Sequence, residues 1–121
     1  MPGSTARIMI VDDDNDIRYT FSIVVKRKGF QLAGTLADGS LAVSEFQQNP
    51  DAADIVIIDY RMPIMRGDEA AREIRKINPR VKLILLSGYQ EDLSPNDLRL
   101  FDATLRKPVS IADIVRAIER A

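Results

Sequence analysis

Neither cysteine nor histidine occurs among the 121 residues, and tryptophan is missing as well. Without cysteine there are no disulfides, thiolate nucleophiles or thiolate metal sites. The lack of histidine removes the commonest general base and the commonest transition-metal ligand together. Any metal must therefore be held by oxygen, and acid–base work falls to Asp, Glu, Lys or water. No apolar run approaches the roughly 20 residues of a membrane span, and no charged-then-apolar leader opens the chain. No surplus of either charge exists: 17 basic against 18 acidic residues give a net charge of −1. That balance argues against a nucleic-acid footprint, which needs clustered basic charge. Membrane binding is not expected, and the address expected is cytoplasmic. The hydrophobic fraction of 45% and charged fraction of 29% are those of a globular chain long enough for one core.

Residues 1–6 read as a flexible lead and residues 7–121 as one domain. Within it, strand-like and helix-like segments alternate five times. Ile8-Met-Ile-Val11 ends abruptly in Asp12-Asp13-Asp14; Ile55-Val-Ile-Ile58 ends in Asp59; Val81–Leu86 ends in Ser87-Gly88. Such unbroken runs predict strands covered on both faces, as in a parallel sheet. Gln31–Leu36 and Ala103–Arg106 are more mixed, as edge strands are. Helical spacing joins Ile17, Phe21, Val24 and Val25, then Leu41 or Ala42 with Glu45 and Phe46, then Ala70, Ile74 and Ile77. A last stripe joins Ile111, Ile114, Val115 and Ile118. Ser94-Pro95-Asn96-Asp97 and Ser110-Ile-Ala-Asp113 predict capped helix starts, while Asn49-Pro50 and Asn78-Pro79 end the helices before them. The pattern is (βα)₅, a doubly wound five-stranded parallel sheet with right-handed crossovers, and ligands of such sheets sit at the carboxyl ends of strands.

Those ends carry the polar groups: Asp12 and Asp13, Asp59, Ser87 and Lys107. Two carboxylates about 5 Å apart at an effective dielectric of about 20 repel by roughly 3 kcal/mol, so three together need a cation. Oxygen ligands alone point to Mg²⁺ or Mn²⁺. Asp14 is a turn or cap residue. An ionised Asp59 can attack phosphorus in line, with Lys107 and the Ser87 hydroxyl on the phosphoryl oxygens and the cation bridging. The bland alternatives are turn aspartates and an exposed Lys-Pro; convergence on one rim is what weighs against them. The isomer of the Lys107–Pro108 bond is left open by sequence.

The stretches Ile8–Asp14, Ile55–Pro63 with Gly67, Leu85–Tyr89 and Leu105–Pro108 together resemble the response regulator receiver family, in order, from about residue 7 to the end. The resemblance implies a flavodoxin-like strand order 2-1-3-4-5. It implies a signalling domain rather than an enzyme, catalysing only its own phosphorylation and dephosphorylation. The phosphoryl group would come from a histidine kinase or a histidine phosphotransfer protein, and a conformational switch would signal an output partner that the sequence does not name. A phosphorylation-dependent dimer is a further expectation. Carried over by position, Asp59 is the phosphoacceptor, Asp13 and Asp59 ligate the metal directly, Asp12 acts through water, and the backbone carbonyl of Arg61 completes the protein ligands. Ser87 and Lys107 become the switch pair. Arg61 and Tyr89 flank the path of the hydrolytic water.

One departure stands out. Thr104 occupies the place, three residues before the lysine, where the family often has Tyr or Phe, so the aromatic readout is in doubt. Leu98, Phe101 and Leu105 are candidates for an output surface, with Phe101 as core the plainer reading. Two other classes compete. A haloacid-dehalogenase-type phosphohydrolase would need an Asp-x-Asp nucleophile on the first strand and a cap domain, whereas here Tyr60-Arg61 follows the nucleophile. A receiver-like binding module that has lost phosphorylation would not need the complete acidic, hydroxyl and lysine set.

Overall fold

The computed structural model describes residues 6–88 and 93–121. Five strands, β1 (Arg7–Val11), β2 (Gln31–Leu36), β3 (Ile55–Asp59), β4 (Lys82–Ser87) and β5 (Ala103–Arg106), form one sheet. Their order is β2-β1-β3-β4-β5, and every pairing is parallel. The apolar runs become the three central strands, buried almost throughout, while the mixed segments lie at the two edges. Alternation along each central strand divides the core. Ile8, Ile10, Ile55, Ile57, Ile84 and Leu86 face one way, toward Phe21 and Val25 of α1 (Asn15–Arg27) and Ile114 and Ile118 of α5 (Ile111–Arg120). Met9, Val11, Val56, Ile58, Leu83 and Leu85 face the other, toward α2 (Gly39–Gln48) and α3 (Gly67–Ile77), where Phe46 and Ile74 are fully buried. Each such aliphatic side chain contributes on the order of 2 kcal/mol by leaving water.

The caps explain where the helices begin. Asp14 accepts from Asp16 N (2.8 Å) and Ile17 N (3.4 Å), which makes it the expected cap of α1. Ser94 and Ser110 each accept at 3.1 Å from the amide three residues on, starting α4 (Pro95–Leu98) and α5. The carboxylates expected to complete these boxes turn to arginines, Asp97 to Arg72 and Asp113 to Arg116. Ile114 and Ile118 carry the buried stripe of α5, while Ile111 is 52% exposed. Asn49 and Asn78 end α2 and α3 as expected. Residues 1–5 of the expected lead lie outside the described residues. Ala6 packs against the α1/α5 core, and its carbonyl accepts from Gln31 N at 3.0 Å.

Register decides what reaches the rim. Val11 pairs with Ile58, Asp59 with Leu86 and Ser87 with Arg106. Asp12 and Asp59 therefore stand level at or just past their strand ends, with Ser87 one residue and Lys107 two residues further along the same direction. Strand order reverses between β1 and β3, so the acidic ends meet at the switch point.

Candidate functional site

Asp12 and Asp59 are buried at 0% and 4% exposure, and Ser87 at 4%, while Asp13 is exposed. Each of the three aspartates offers a carboxylate oxygen, and these oxygens lie within 4.8 Å of one another. Lys107 Nζ stands 3.0 Å from Asp59 Oδ1 and 3.2 Å from Asp12 Oδ2. Its own amide donates to the Ser87 carbonyl at 2.8 Å, which locks the ends of β4 and β5 together. The Lys107–Pro108 bond is cis. Arg61 is exposed in the loop two residues past β3. Asp12, Asp13, Asp59 and Lys107 thus come together from three strand ends, and Ser87 ends the strand between those of Asp59 and Lys107. Tyr89 lies outside the described residues.

Charge in this pocket is out of balance. Burial pushes the Asp59 carboxyl up to about 6, with the charges of Asp12 and Asp13 adding to it and Lys107 opposing. Burial likewise raises Asp12, against the Asp14 amide (2.9 Å to its Oδ1) and Lys107. Burial alone would lower Lys107, but the Asp59 and Asp12 carboxylates outweigh it and hold the ammonium above its usual value. Three carboxylates against one ammonium leave a formal charge of −2 when all are ionised. An all-oxygen donor set with that deficit fits a hard divalent cation such as Mg²⁺. Asp12 has both carboxylate oxygens engaged, Oδ1 by the Asp14 amide and Oδ2 by Lys107.

Local features hold the rim in shape. A Cβ on Gly67 would collide with the Asp59 carbonyl, so glycine lets the β3–α3 loop fold back against the strand end, where Gly67 N donates to Tyr60 O at 2.8 Å. Sequence reasoning passed over Asp38, the buried cap of α2. Its carboxylate accepts from Ser40 N (2.9 Å), Ile64 N (2.9 Å) and Met65 N (3.2 Å), pinning the loop that carries Arg61. Next to it, a Cβ on Gly39 would lie 2.7 Å from Met65 O, so the loop sits directly on this turn. The Asp38-Gly39-Ser40 sequence signals a helix cap; amides 26 and 27 residues away leave no local trace.

Away from the rim, Thr104 is exposed on β5, Leu98 is 41% exposed, Leu105 is half-buried against the α1/α5 core, and Phe101 is core at 9%. Among the described residues, no helix is long and apolar enough to cross a membrane.

The model of the response regulator receiver domain matches residues 8–119. The response regulator receiver protein CpdR of Brucella abortus is 30% identical over 116 residues, covering 94% of each chain. A response regulator receiver domain protein from Clostridium thermocellum superposes with a TM-score of 0.84 at 30% identity, covering 95% of this chain and 92% of that one. The receiver domain of a sensor histidine kinase from Pseudomonas aeruginosa, solved with a magnesium ion coordinated in its active-site cleft, gives 0.80 at 26% identity and covers 96% of both.

Proposed function

The chain belongs to the response regulator receiver family, and we propose that it carries its signal as a phosphoryl group on Asp59. The observation that carries this reading is the Asp59 carboxylate itself: the last residue of a buried strand, held at one oxygen by Lys107 and crowded by two further carboxylates. A free Asp59 oxygen forms a bond to phosphorus while the P–N bond of a phosphohistidine donor breaks, and the electron pair leaves on the donor nitrogen. The donor would be a histidine kinase or a histidine phosphotransfer protein. Lys107 neutralises one phosphoryl oxygen, and the Ser87 hydroxyl donates to another, at the end of the neighbouring strand. Asp12, Asp13 and Asp59, with the Arg61 carbonyl, would hold Mg²⁺ or Mn²⁺, which when bound supplies positive charge to the carboxylates and the transferred group. The switch pair Ser87 and Lys107 would then pass the change to an output partner. With Thr104 on β5, the readout proceeds without an aromatic ring at that position.

The test is intact-protein mass spectrometry after treatment with acetyl phosphate and Mg²⁺. One phosphoryl addition is expected on the parent and none on Asp59→Asn, with circular dichroism confirming that both are folded. Equal labelling of the variant removes Asp59 from its role. A parent that never labels supports a binding module instead, and steady turnover of phosphate esters supports a phosphohydrolase.

A further inference from the structure

Every polar atom of Asp12 has a partner, and one of those partners is a charged side chain with no role in the chemistry above. The amide donates to Leu36 O at 3.0 Å, Oδ1 accepts from Asp14 N at 2.9 Å, and Oδ2 accepts from Lys107 at 3.2 Å. The carbonyl accepts from Arg18 Nη1 at 2.6 Å. β1 ends at Val11, so the Asp12 carbonyl lies past the sheet ladder, buried beside three carboxylates and dependent on a side chain for its hydrogen bond. The other arm of the same guanidinium, Nη2, donates to Asn15 Oδ1 at the first position of α1. One planar fork therefore grips the chain on both sides of Asp13 and Asp14.

Asp13 is exposed, and its carboxylate is aimed by the backbone of this turn. The peptide between Asp12 and Asp13 carries the carbonyl that Arg18 holds. If that peptide rotates, Asp13 moves with it. We propose that Arg18 is a positioning residue for the cation site. By fixing the Asp12–Asp13 peptide it keeps the Asp13 carboxylate turned toward Asp59, and so sets the affinity of the rim for a divalent cation. This rests on the rim being the phosphorylation site proposed above. The arginine's own charge works in the opposite direction, since a nearby guanidinium repels a divalent cation. The sign of the effect on affinity thus separates positioning from charge.

The experiment is calorimetric titration with Mg²⁺, alongside acetyl phosphate labelling rates measured across a range of magnesium concentrations. Groups that orient metal ligands typically change affinity by about tenfold or more when removed, and that loss is expected of Arg18→Ala. Labelling should then need correspondingly more magnesium to reach the parental plateau, so the half-saturating concentration moves and the plateau does not. Arg18→Gln retains one donor for the Asp12 carbonyl without the charge, and should recover most of the affinity. It also serves where Arg18→Ala does not fold. Parental affinity in Arg18→Ala, even with a lowered melting temperature, reduces Arg18 to scaffold; tighter binding assigns it a purely electrostatic effect. Either result overturns the proposal while leaving Asp59 labelling intact. A parent that binds no Mg²⁺ overturns this inference and the cation site together.

Discussion

Two pairs of aspartates leave equally little surface exposed and behave in opposite ways. Asp12 and Asp59, at 0% and 4% exposure, are raised; Asp38 and Asp68, at 5% and 1%, are lowered. Burial pushes all four upward, hardest at the deeper-set rim pair, and at Asp38 and Asp68 the donors outweigh that push. Asp38 accepts from three backbone amides. Asp68 takes both arms of Arg66, at 3.0 and 3.2 Å, with Arg72 at 3.6 Å. The rim pair has one lysine to share, one amide on Asp12, and each other's charge. A carboxylate saturated with donors is part of the scaffold, whereas one left short can recruit a cation or a phosphoryl group. Depth and the shortage of donors together are what suit the rim to the site proposed for it.

The largest effect that would sharpen this contrast is expected at Asp38. Asp38→Ala orphans amides of α2 and of the β3–α3 loop, which should lower stability by about 3 kcal/mol. For a domain of this size that is a melting temperature lower by roughly 12 °C. The loop that carries Arg61 would loosen with it, so hydrogen exchange at residues 60–66 should rise. If Asp38→Ala melts within a degree or two of the parent, the saturated carboxylate is no anchor and the comparison fails at its strong end.

Asp59 should respond with the opposite sign. A carboxyl held at about 6 in the fold and near 4 in the unfolded chain is destabilising when ionised, by about 3 kcal/mol at most. In chelator at pH 8, Asp59→Asn is therefore expected to be more stable than the parent by about 2 kcal/mol. Millimolar Mg²⁺ should raise the parent's melting temperature and leave the variant nearly unmoved, because a ligand bound only by the folded state stabilises it. A variant less stable than the parent without metal would show that the Lys107 contact outweighs the repulsion.

The same contrast explains which parts of the molecule can be read from sequence. Asp12, Asp59 and Ser87 are legible because each follows an unbroken apolar run, and doubly wound topology sends the ends of such strands, and of the mixed edge strand before Lys107, to one place. The central strands are likewise legible, although β3 and β4 each run one residue further than the apolar pattern. Asp59 and Ser87 are the last residues of their strands, because backbone pairing continues past the point where side chains turn polar. Scaffold aspartates are not legible, since their donors arrive from distant segments. Helix α4 shows the same limit. Its capped start is visible, but Pro95–Leu98 buries no side chain of its own. It is held by arginines of α3: Arg72 reaches Asp97, and Arg75 donates to Leu100 O at 2.7 Å and to Asp102 Oδ2 at 3.1 Å.

The smallest effect, and the one that compares both groups in a single experiment, is the pH dependence of stability in chelator. For the lowered carboxyls, Asp38, Asp54, Asp68 and Asp102, the stabilising contribution is present above the unfolded value near 4 and is lost as pH falls through their folded values. For Asp59 and Asp12, the folded state is favoured by protonation. Their contribution is present below about 4 and is lost as pH rises through the folded values, about 6 for Asp59. The two slopes meet, so urea unfolding in chelator should give a maximum near pH 5 with a decline toward pH 8 of about 1–2 kcal/mol. Asp59→Asn should flatten that decline while leaving the acid limb unchanged. Millimolar Mg²⁺ should also abolish it in the parent, because the carboxylates that repel one another at pH 8 become ligands. A parent whose stability in chelator climbs steadily from pH 5 to pH 8 would mean that Lys107 already balances the rim, and the shortage of donors that separates site from scaffold would not exist.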